Sequence, residues 1–472
     1  MKKKIFISLL LITGIWKSQA QTKMTLRQCV ETGIANNFDV LQMQLQAQSD
    51  EVTWKQSKLN MFPDLNAGAG HSVNQGRSID PFTNTPVTQS FNSSNYSINS
   101  GVVLFNGLAL QHSIKQNSLN YQASKMDWQQ EKDNLTINII LAYLQVLGNT
   151  DQLAQAKNQA SLSFQQVERL EVLNKEGAIK PSDLSDLKGQ YAGDQLAIID
   201  FQNSLESARI NLCRLMNIPY KRDLVPETIE PESFAASYDE DPDKIYQTAL
   251  AQLALIKAVD LRKQSAMKAI KVARGQLFPT LRFNGTAYTN YSSVAMQSQY
   301  INTTDVTSSD YVVSNGSQLP VIYKTDNFSA GKISYSDQLN NNLYTSFGFN
   351  LAIPIFNSLQ QRNRIQQAKI NFKSRELSAN TTRTQLSQAI EQAYINMNTA
   401  AERHKTTLEQ VKAFSESFRA AGIRFQQGVG NSIDYLIAKN ALDRANINLI
   451  IAKYDYVLRT KILDYYQGKQ LW

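Results

Sequence analysis

Two aspartates, each placed after a glycine turn, are the first chemistry this chain offers. Asp183 ends the run Gly177-Ala178-Ile179-Lys180-Pro181-Ser182-Asp183, and Asp434 ends Gly428-Val429-Gly430-Asn431-Ser432-Ile433-Asp434. Asp186 stands one helical turn beyond Asp183. Both runs read as gaps between helices. The glycines suit helix C-caps. Asn431 suits an N-cap, and Lys180 holds the equivalent place before Pro181 at the favoured first helical position. An aspartate at the third position favours the helix dipole. Capping accounts for these carboxylates. Gathered at one narrow opening, they would also attract cations. The three histidines, His71, His112 and His404, fall in a strand and two helices, with no metal-ligand spacing and no nucleophile motif beside them. An enzyme, a resident metal and a cofactor are therefore not expected. Cys29 and Cys213 are the only cysteines, too few for a disulfide scaffold at this length. Each lies in a helical pattern and reads as a small buried hydrophobe; the alternative is one bond tying the start of the first helix to the end of the first repeat.

The elements that must position these groups are written twice. Adding 251 to a residue number returns the same residue type at Phe105-Asn106 and Phe356-Asn357, Ile114 and Ile365, Gln116 and Gln367, and Leu135 and Leu386. It does so again at Ile139 and Ile390, Ala142-Tyr143 and Ala393-Tyr394, Gly177 and Gly428, Asp183 and Asp434, and Leu212 and Leu463. A second block repeats at an offset of 216, pairing Phe62-Pro63 with Phe278-Pro279 and Leu65 with Leu281. Two copies of this length mean a duplicated half-molecule, not a solenoid of short units. The expected division is a signal peptide at 1–20, a first repeat at 21–216, a linker at 217–244, a second repeat at 245–468 and a tail at 469–472.

The signal peptide follows from Lys2, Lys3 and Lys4, an apolar run from Ile5 to Trp16, and the small-x-small site Ser18-Gln19-Ala20. The formal charge of +8 falls to +4 once Lys2, Lys3, Lys4 and Lys17 leave with it. That is mild, and no nucleic-acid partner is implied. No later segment approaches the ~20 apolar residues of a spanning helix.

Each repeat reads helix, strand, loop, strand, very long helix, turn, helix. The first helix is expected from about Thr25 to Met61 and ends before Pro63; Pro279 does the same in the second copy. The second strands alternate. Tyr96, Ile98, Ser100, Val102 and Leu104 share one face, and Phe347, Phe349, Leu351, Ile353 and Ile355 share the equivalent face. The opposite faces carry Ser97, Asn99 and Gly101, then Gly348, Asn350 and Ala352. Such alternation suits a transmembrane barrel, or any half-exposed sheet. First strands are expected at Leu65 to Val73 and Leu281 to Tyr291. The connections, about Asn74 to Phe91 and Ser292 to Asn341, read as long polar loops. Leu108 to Lys175 and Ser358 to Gln427 each contain no proline and one glycine. At 1.5 Å per residue each spans roughly 100 Å. Their apolar stripes are narrow, so they must pack side to side with wet faces. Four candidate strands per chain cannot close a membrane barrel, whose smallest bacterial form has about eight, and open edges are not tolerated in lipid. The chain must pool strands with copies of itself.

In this order and twice over, these residues resemble the TolC-like outer-membrane efflux proteins, from Met24 to about Gln467. The resemblance implies a mostly α fold with a transmembrane β part. It implies a homotrimer with a twelve-strand barrel in the outer membrane, in contact with its lipid, and a twelve-helix periplasmic tunnel. It implies docking to a periplasmic adaptor and an inner-membrane pump of the RND or ABC type, for efflux or type I secretion. Pro63, Pro279, Phe105 and Phe356 would mark the helix–strand junctions. The segments 217–244 and 464–472 would surround the tunnel at its equator. Gly177, Ala178, Gly428 and Val429 would meet the adaptor. Asp183, Asp186 and Asp434 would ring the periplasmic aperture. Phe425, Gly430 and Ile437 stand where the family's archetype has a tyrosine, an arginine and a second aspartate, so an acidic mouth survives without the archetype's latch.

Two other classes stay open on the residues alone. A trimeric surface fibre or adhesin would also carry long polar helices, but as one continuous stalk. A periplasmic adaptor would carry a lipoyl-like β segment and no barrel strands.

Overall fold

The computed structural model describes residues 23–80, 84–88, 90–220, 222, 224–228 and 241–471. The signal peptide, part of the 217–244 linker and Trp472 lie outside the described residues. In chain order the first copy runs β1 (Lys23–Met24), α1 (Leu26–Asn36), α2 (Phe38–Leu59), β2 (Asp64–Asn74), β3 (Ser78–Ile79), β4 (Pro86–Val87), β5 (Phe91–Phe105), α3 (Ala109–Lys175) and α4 (Pro181–Leu215). After β6 (Val225–Pro226) come α5 (Pro242–Gln252), α6 (Ala254–Gly275), β7 (Thr280–Ser292), β8 (Met296–Ser314), β9 (Ser317–Lys332), α7 (Tyr335–Asn341), β10 (Tyr344–Ala352), α8 (Gln360–Gln426) and α9 (Ser432–Tyr466).

The expected single helix from Thr25 to Met61 is two helices. Thr25 opens α1 with a capping box: its hydroxyl accepts from the Gln28 amide at 3.1 Å, and the Gln28 side chain accepts from the Thr25 amide at 3.1 Å. At Asn37 the backbone turns extended, with φ −68° and ψ 128°. The Asn37 carboxamide takes the Asp39 amide at 2.9 Å, a local bond that competes with helix continuation. The second copy breaks in the same place. Asp241 caps α5, Leu253 is extended at φ −64° and ψ 133°, and α6 follows. Asn37 and Leu253 are separated by the same 216 residues as the two Phe-Pro pairs.

The chain divides into two compact units, each drawing on both copies. The first comprises Met1–Glu51, Ser118–Ser265 and Lys373–Trp472. Its cores are built from the repeated residues. Leu135, Ile139, Ala142, Tyr143 and Leu212 are buried with Cys29, Val30 and Cys213. Leu386, Ile390, Ala393 and Leu463 are buried with Ile245, Ala249 and Leu253. Each fully buried Leu or Ile contributes roughly 1.5–3 kcal/mol. Tyr143 also ties the unit's margin, because its hydroxyl donates within reach of the Met24 carbonyl at 3.1 Å and the Glu227 carbonyl at 2.8 Å. Those carbonyls lie at one end of the parallel pair β1–β6, Met24 within β1 and Glu227 just after β6. Both cysteines are free and buried, so the bonded alternative is not realised. Burial, with the Cys213 thiol nearby, pushes the Cys29 thiol up to about 12.

The second unit comprises Val52–Asn117 and Ala266–Phe372. Its centre is a four-stranded antiparallel sheet in the order β10-β7-β5-β2, with pairs such as Asn66 opposite Asn99, Tyr96 opposite Thr289 and Phe349 opposite Phe283. The expected second-copy strand stops at Ala352, so Ile353 and Ile355 lie beyond it; Pro354 has no amide to offer a ladder. All four strands meet helices at one end of the sheet. The loop expected from Ser292 to Asn341 is instead a long antiparallel hairpin, β8–β9, followed by α7. Its turn is Asn315-Gly316, both left-handed, which is two-residue hairpin chemistry. Among its described residues, the loop from Asn74 to Phe91 carries the short pair β3–β4. Among the described residues no helix is long and apolar enough to cross a membrane.

The strand-to-helix junctions repeat as closely as the cores do. Gly107 and Leu108 precede α3 with φ of 64° and 63°, and Ser358 and Leu359, 251 residues later, precede α8 with 54° and 62°. At Gly107 a Cβ would meet the Gly275 carbonyl oxygen at 2.4 Å and Phe278 at 2.7 Å. Phe278 is the residue that pairs with Pro279, so this sequence mark reports a close chain crossing.

Candidate functional site

The two glycine turns lie side by side in the first unit. Gly177 takes φ 75° and closes α3: its amide bonds the Asn174 carbonyl at 3.1 Å, and the Ala178 amide bonds the Leu173 carbonyl at 2.8 Å. Gly428 takes φ 74° and closes α8 in the same way, through Phe425 at 3.2 Å and, from Val429, Arg424 at 3.1 Å. This is the Schellman pattern. A Cβ on either glycine would meet nothing within 4 Å, so both turns are open to contact. Gly430 differs: a Cβ there would crowd the Phe425 nitrogen at 3.2 Å. α4 begins at Pro181 after Lys180, whose side chain caps nothing, whereas Asn431 caps α9 by accepting the Asp434 amide at 2.7 Å.

The turns are joined by a bond the sequence reading missed. The Ser432 hydroxyl lies 2.8 Å from Asp183 Oδ1 and 3.0 Å from Asp186 Oδ2, and its single proton serves one carboxylate at a time. Ser432 is buried, Asp183 half-buried and Asp186 exposed. Arg169 adds a second link by donating to the Gln426 carbonyl at 3.1 Å. Asp434 is exposed, and its structural part at the turn is the amide that Asn431 caps. Behind the turns, Val167, Leu170, Leu187 and Tyr435 form a small core with Phe418 and Phe425 against it. Phe425 stacks on Tyr435 with ring centroids 5.0 Å apart, so the phenylalanine works here as a packing residue. Ile437 and Val429 are exposed, at 63% and 75%. These apolar side chains therefore face outward from the helix pairs, available to another surface.

Deeper between the helices is a second missed group. Lys439 is 1% exposed. Its ammonium donates to Asp194 Oδ2 at 3.0 Å and to Asp443 Oδ2 at 2.6 Å. Asp194 also accepts from Ser163 and, at 2.8 Å, from Gln190. One cation thus binds carboxylates of α4 and α9, with a hydroxyl of α3 on the same oxygen. Burial raises the Asp443 carboxyl above its ordinary range, against the opposing pull of Lys439. A lysine following Tyr435, Leu436 and Ala438 along an apolar stripe was the available signal. The two acidic partners were not legible, because neither keeps the repeat's offset.

At the helix–strand junctions, Phe105, Phe356 and Pro63 are exposed and Pro279 is half-buried. Phe283, Phe347, Phe349 and Leu351 line the sheet with exposed or half-exposed apolar surface; the rings of Phe283 and Phe349 lie 5.1 Å apart. A family model described as "Outer membrane efflux protein" matches residues 30–217 and 245–464, on both sides of the linker. The chain belongs to that family. Its members are transport proteins of the outer membrane and not enzymes, and the same holds for this efflux protein. Solved structures agree in fold. The outer membrane protein VceC of Vibrio cholerae superposes with a TM-score of 0.74 at 13% identity, over 95% of this chain and 97% of that one. The CmeC outer membrane channel of Campylobacter jejuni gives 0.74 at 14% identity, over 94% and 85%. CusC, whose structures concern folding and transmembrane channel formation, gives 0.71 at 16%, over 95% and 93%. No curated protein matches at a significant level.

Proposed function

We propose that three copies of this efflux protein form one channel through the outer membrane, continuous with a periplasmic helical tunnel. The observation that carries this reading is the sheet's order. β10 and β2 are its edges, and four strands with two open edges cannot stand in lipid. Three chains supply twelve strands and leave no edge, and the exposed Phe347, Phe349 and Leu351 then face the bilayer. In this reading 21–216 and 245–468 are the two structural repeats, and 217–244 with the C-terminal segment surrounds the tunnel.

The glycine turns are the periplasmic tip. Gly177, Ala178, Gly428 and Val429 meet an adaptor protein that links the channel to an energised inner-membrane pump. Two features support this: the open space around both glycines, and the exposed Val429. Asp183, Asp186 and Asp434 from each chain line the aperture, with Ile437 beside them. Like charges gathered there select cations. Within each chain the Ser432 bonds to Asp183 and Asp186 take the place of the archetype's tyrosine and arginine. Planar-bilayer recording tests this. The wild type passes cations in preference to anions and is blocked by divalent or trivalent cations from the tip side. The Asp183→Asn/Asp434→Asn variant loses both properties and keeps its assembly, since dipole effects at a helix start cost only ~0.3–1 kcal/mol each. Unchanged selectivity and block in that variant would reduce these aspartates to helix-start residues.

A further inference from the structure

The β8–β9 hairpin takes no part in the four-stranded sheet. Neither strand has a buried residue over its length. It leaves the sheet at the end away from the helices, since β7 enters it at Ser292 and α7 returns from it to β10. Its lower part carries the pair Tyr300 and Phe328, with centroids 6.0 Å apart, followed by a polar belt in which Thr303 pairs with Asp326 and Asp305 with Lys324. Its outer part is apolar on both faces. Residues opposite each other in the ladder share a face. Tyr311 is opposite Pro320 and Val312 is opposite Leu319, so the alternation puts Tyr311, Val313 and Ile322 on one face and Val312, Leu319 and Tyr323 on the other. All six are more than half exposed, at 52–64%.

An isolated two-stranded ribbon is marginal in water, and apolar surface of this extent marks an interaction site. We infer that the outer halves of three such hairpins, one from each copy, pack against one another around the assembly's axis. This rests on the trimeric reading above. Both faces of the ribbon are apolar, so both need cover. A bilayer surface or a single docked protein covers one face, whereas in a threefold cluster every hairpin lies between two neighbours. The copies are also already tethered, because the hairpin grows from the sheet whose edges β2 and β10 must pair between chains, and tethering raises the effective concentration of one tip for the next. Charge does not oppose the contact: Asp305, Asp310 and Asp326 are set against Lys324 and Lys332 in each hairpin.

Because each contact sets the Tyr311 face of one hairpin against the Val312 face of the next, the paired cysteines Y311C/V312C test this in isolated outer membranes, and the native thiols do not compete because Cys29 and Cys213 are buried. Mild oxidation is expected to shift Y311C/V312C to disulfide-linked dimer and trimer, since every copy then has a partner thiol on both sides. The matching pair in the polar belt, T303C/T304C, is expected to cross-link far less. The mass of each variant in detergent is measured on the same sample. A trimer in which Y311C/V312C does not cross-link overturns the hairpin interface while leaving the channel reading intact. A sample that is not trimeric overturns both. Cross-linking of T303C/T304C as efficient as that of Y311C/V312C shows unspecific collision of mobile ribbons and also overturns the inference.

Discussion

Lys439 holds the most consequential charge in the helical unit. Its ammonium is enclosed by Asp194 and Asp443 on facing helices, and no water-facing side relieves either carboxylate fully. Replacing it by alanine leaves two acidic groups without their cation in a low-dielectric interior, a loss of about 3–5 kcal/mol. Thermal unfolding in detergent is expected to fall accordingly for Lys439→Ala. Lys439→Met combined with Asp194→Asn and Asp443→Asn is expected to recover most of it, because a neutral set carries no stranded charge. The pH dependence has a definite sign. Burial raises the Asp443 carboxyl, so the folded protein binds that proton more tightly than the unfolded chain does. The stability contributed by the protonated form is therefore fully present in acid, below the ordinary carboxylate value, and is lost as the pH rises through the raised value. In the unfolding midpoint against pH, Asp443→Asn should flatten that segment; an unchanged slope would show that another group sets it. Single residues were the least legible level of this sequence. Asp183, Gly177 and Gly428 could be picked out because they repeat. Ser432 and Asp194 could not, because each has its meaning only through a partner on another helix, and Lys439, although Lys188 stands 251 residues before it, shows only as a lysine on an apolar stripe.

Elements were legible where the residues that form them were copied. The core pairs Leu135 and Leu386, Ile139 and Ile390, and Leu212 and Leu463 mark the inward faces of the helices, and all six are buried. Helix length was legible from the absence of proline. The breaks at Asn37 and Leu253 were not, since neither residue excludes a helix by itself; the bond from Asn37 to the next turn and the packing of Leu253 decide them. The β8–β9 hairpin reads as a loop because its belt has loop-like polar composition and its outer part, apolar on both faces, shows no period-two alternation. The glycines give a sharper test of which elements matter for what. Gly177→Ala and Gly428→Ala meet open space, and each should cost only about 1–2 kcal/mol of left-handed strain. The double variant is expected to assemble normally and to lose efflux in whole cells. Gly107→Ala pushes a Cβ into the Gly275 carbonyl and Phe278. It is expected to abolish assembled protein in the outer membrane, as seen by immunoblot of unheated samples. If Gly107→Ala assembles as well as Gly177→Ala, the junction is not the tight crossing that these distances describe.

At the scale of the whole molecule, the duplication and the sheet make one requirement. Each chain offers two strand pairs, two edges and an apolar outer face, and neither edge can be satisfied within one chain once that face is in lipid. The family match places the chain in the outer membrane. The exposed surface of the single chain, with Phe349 at 72% and Ile437 at 63%, is the surface that assembly and membrane would cover. The four strands of the sheet and the lengths of the helices were the most legible features of the sequence, because both are arithmetic and need no partner to be read. Both also point away from a continuous stalk: the strands interrupt the helices twice. The direct measurement is the number of chains in the particle extracted from the outer membrane, by native mass spectrometry after mild detergent solubilisation. Three chains per particle is the predicted result. A folded, stable monomer carrying the four-stranded sheet would contradict it.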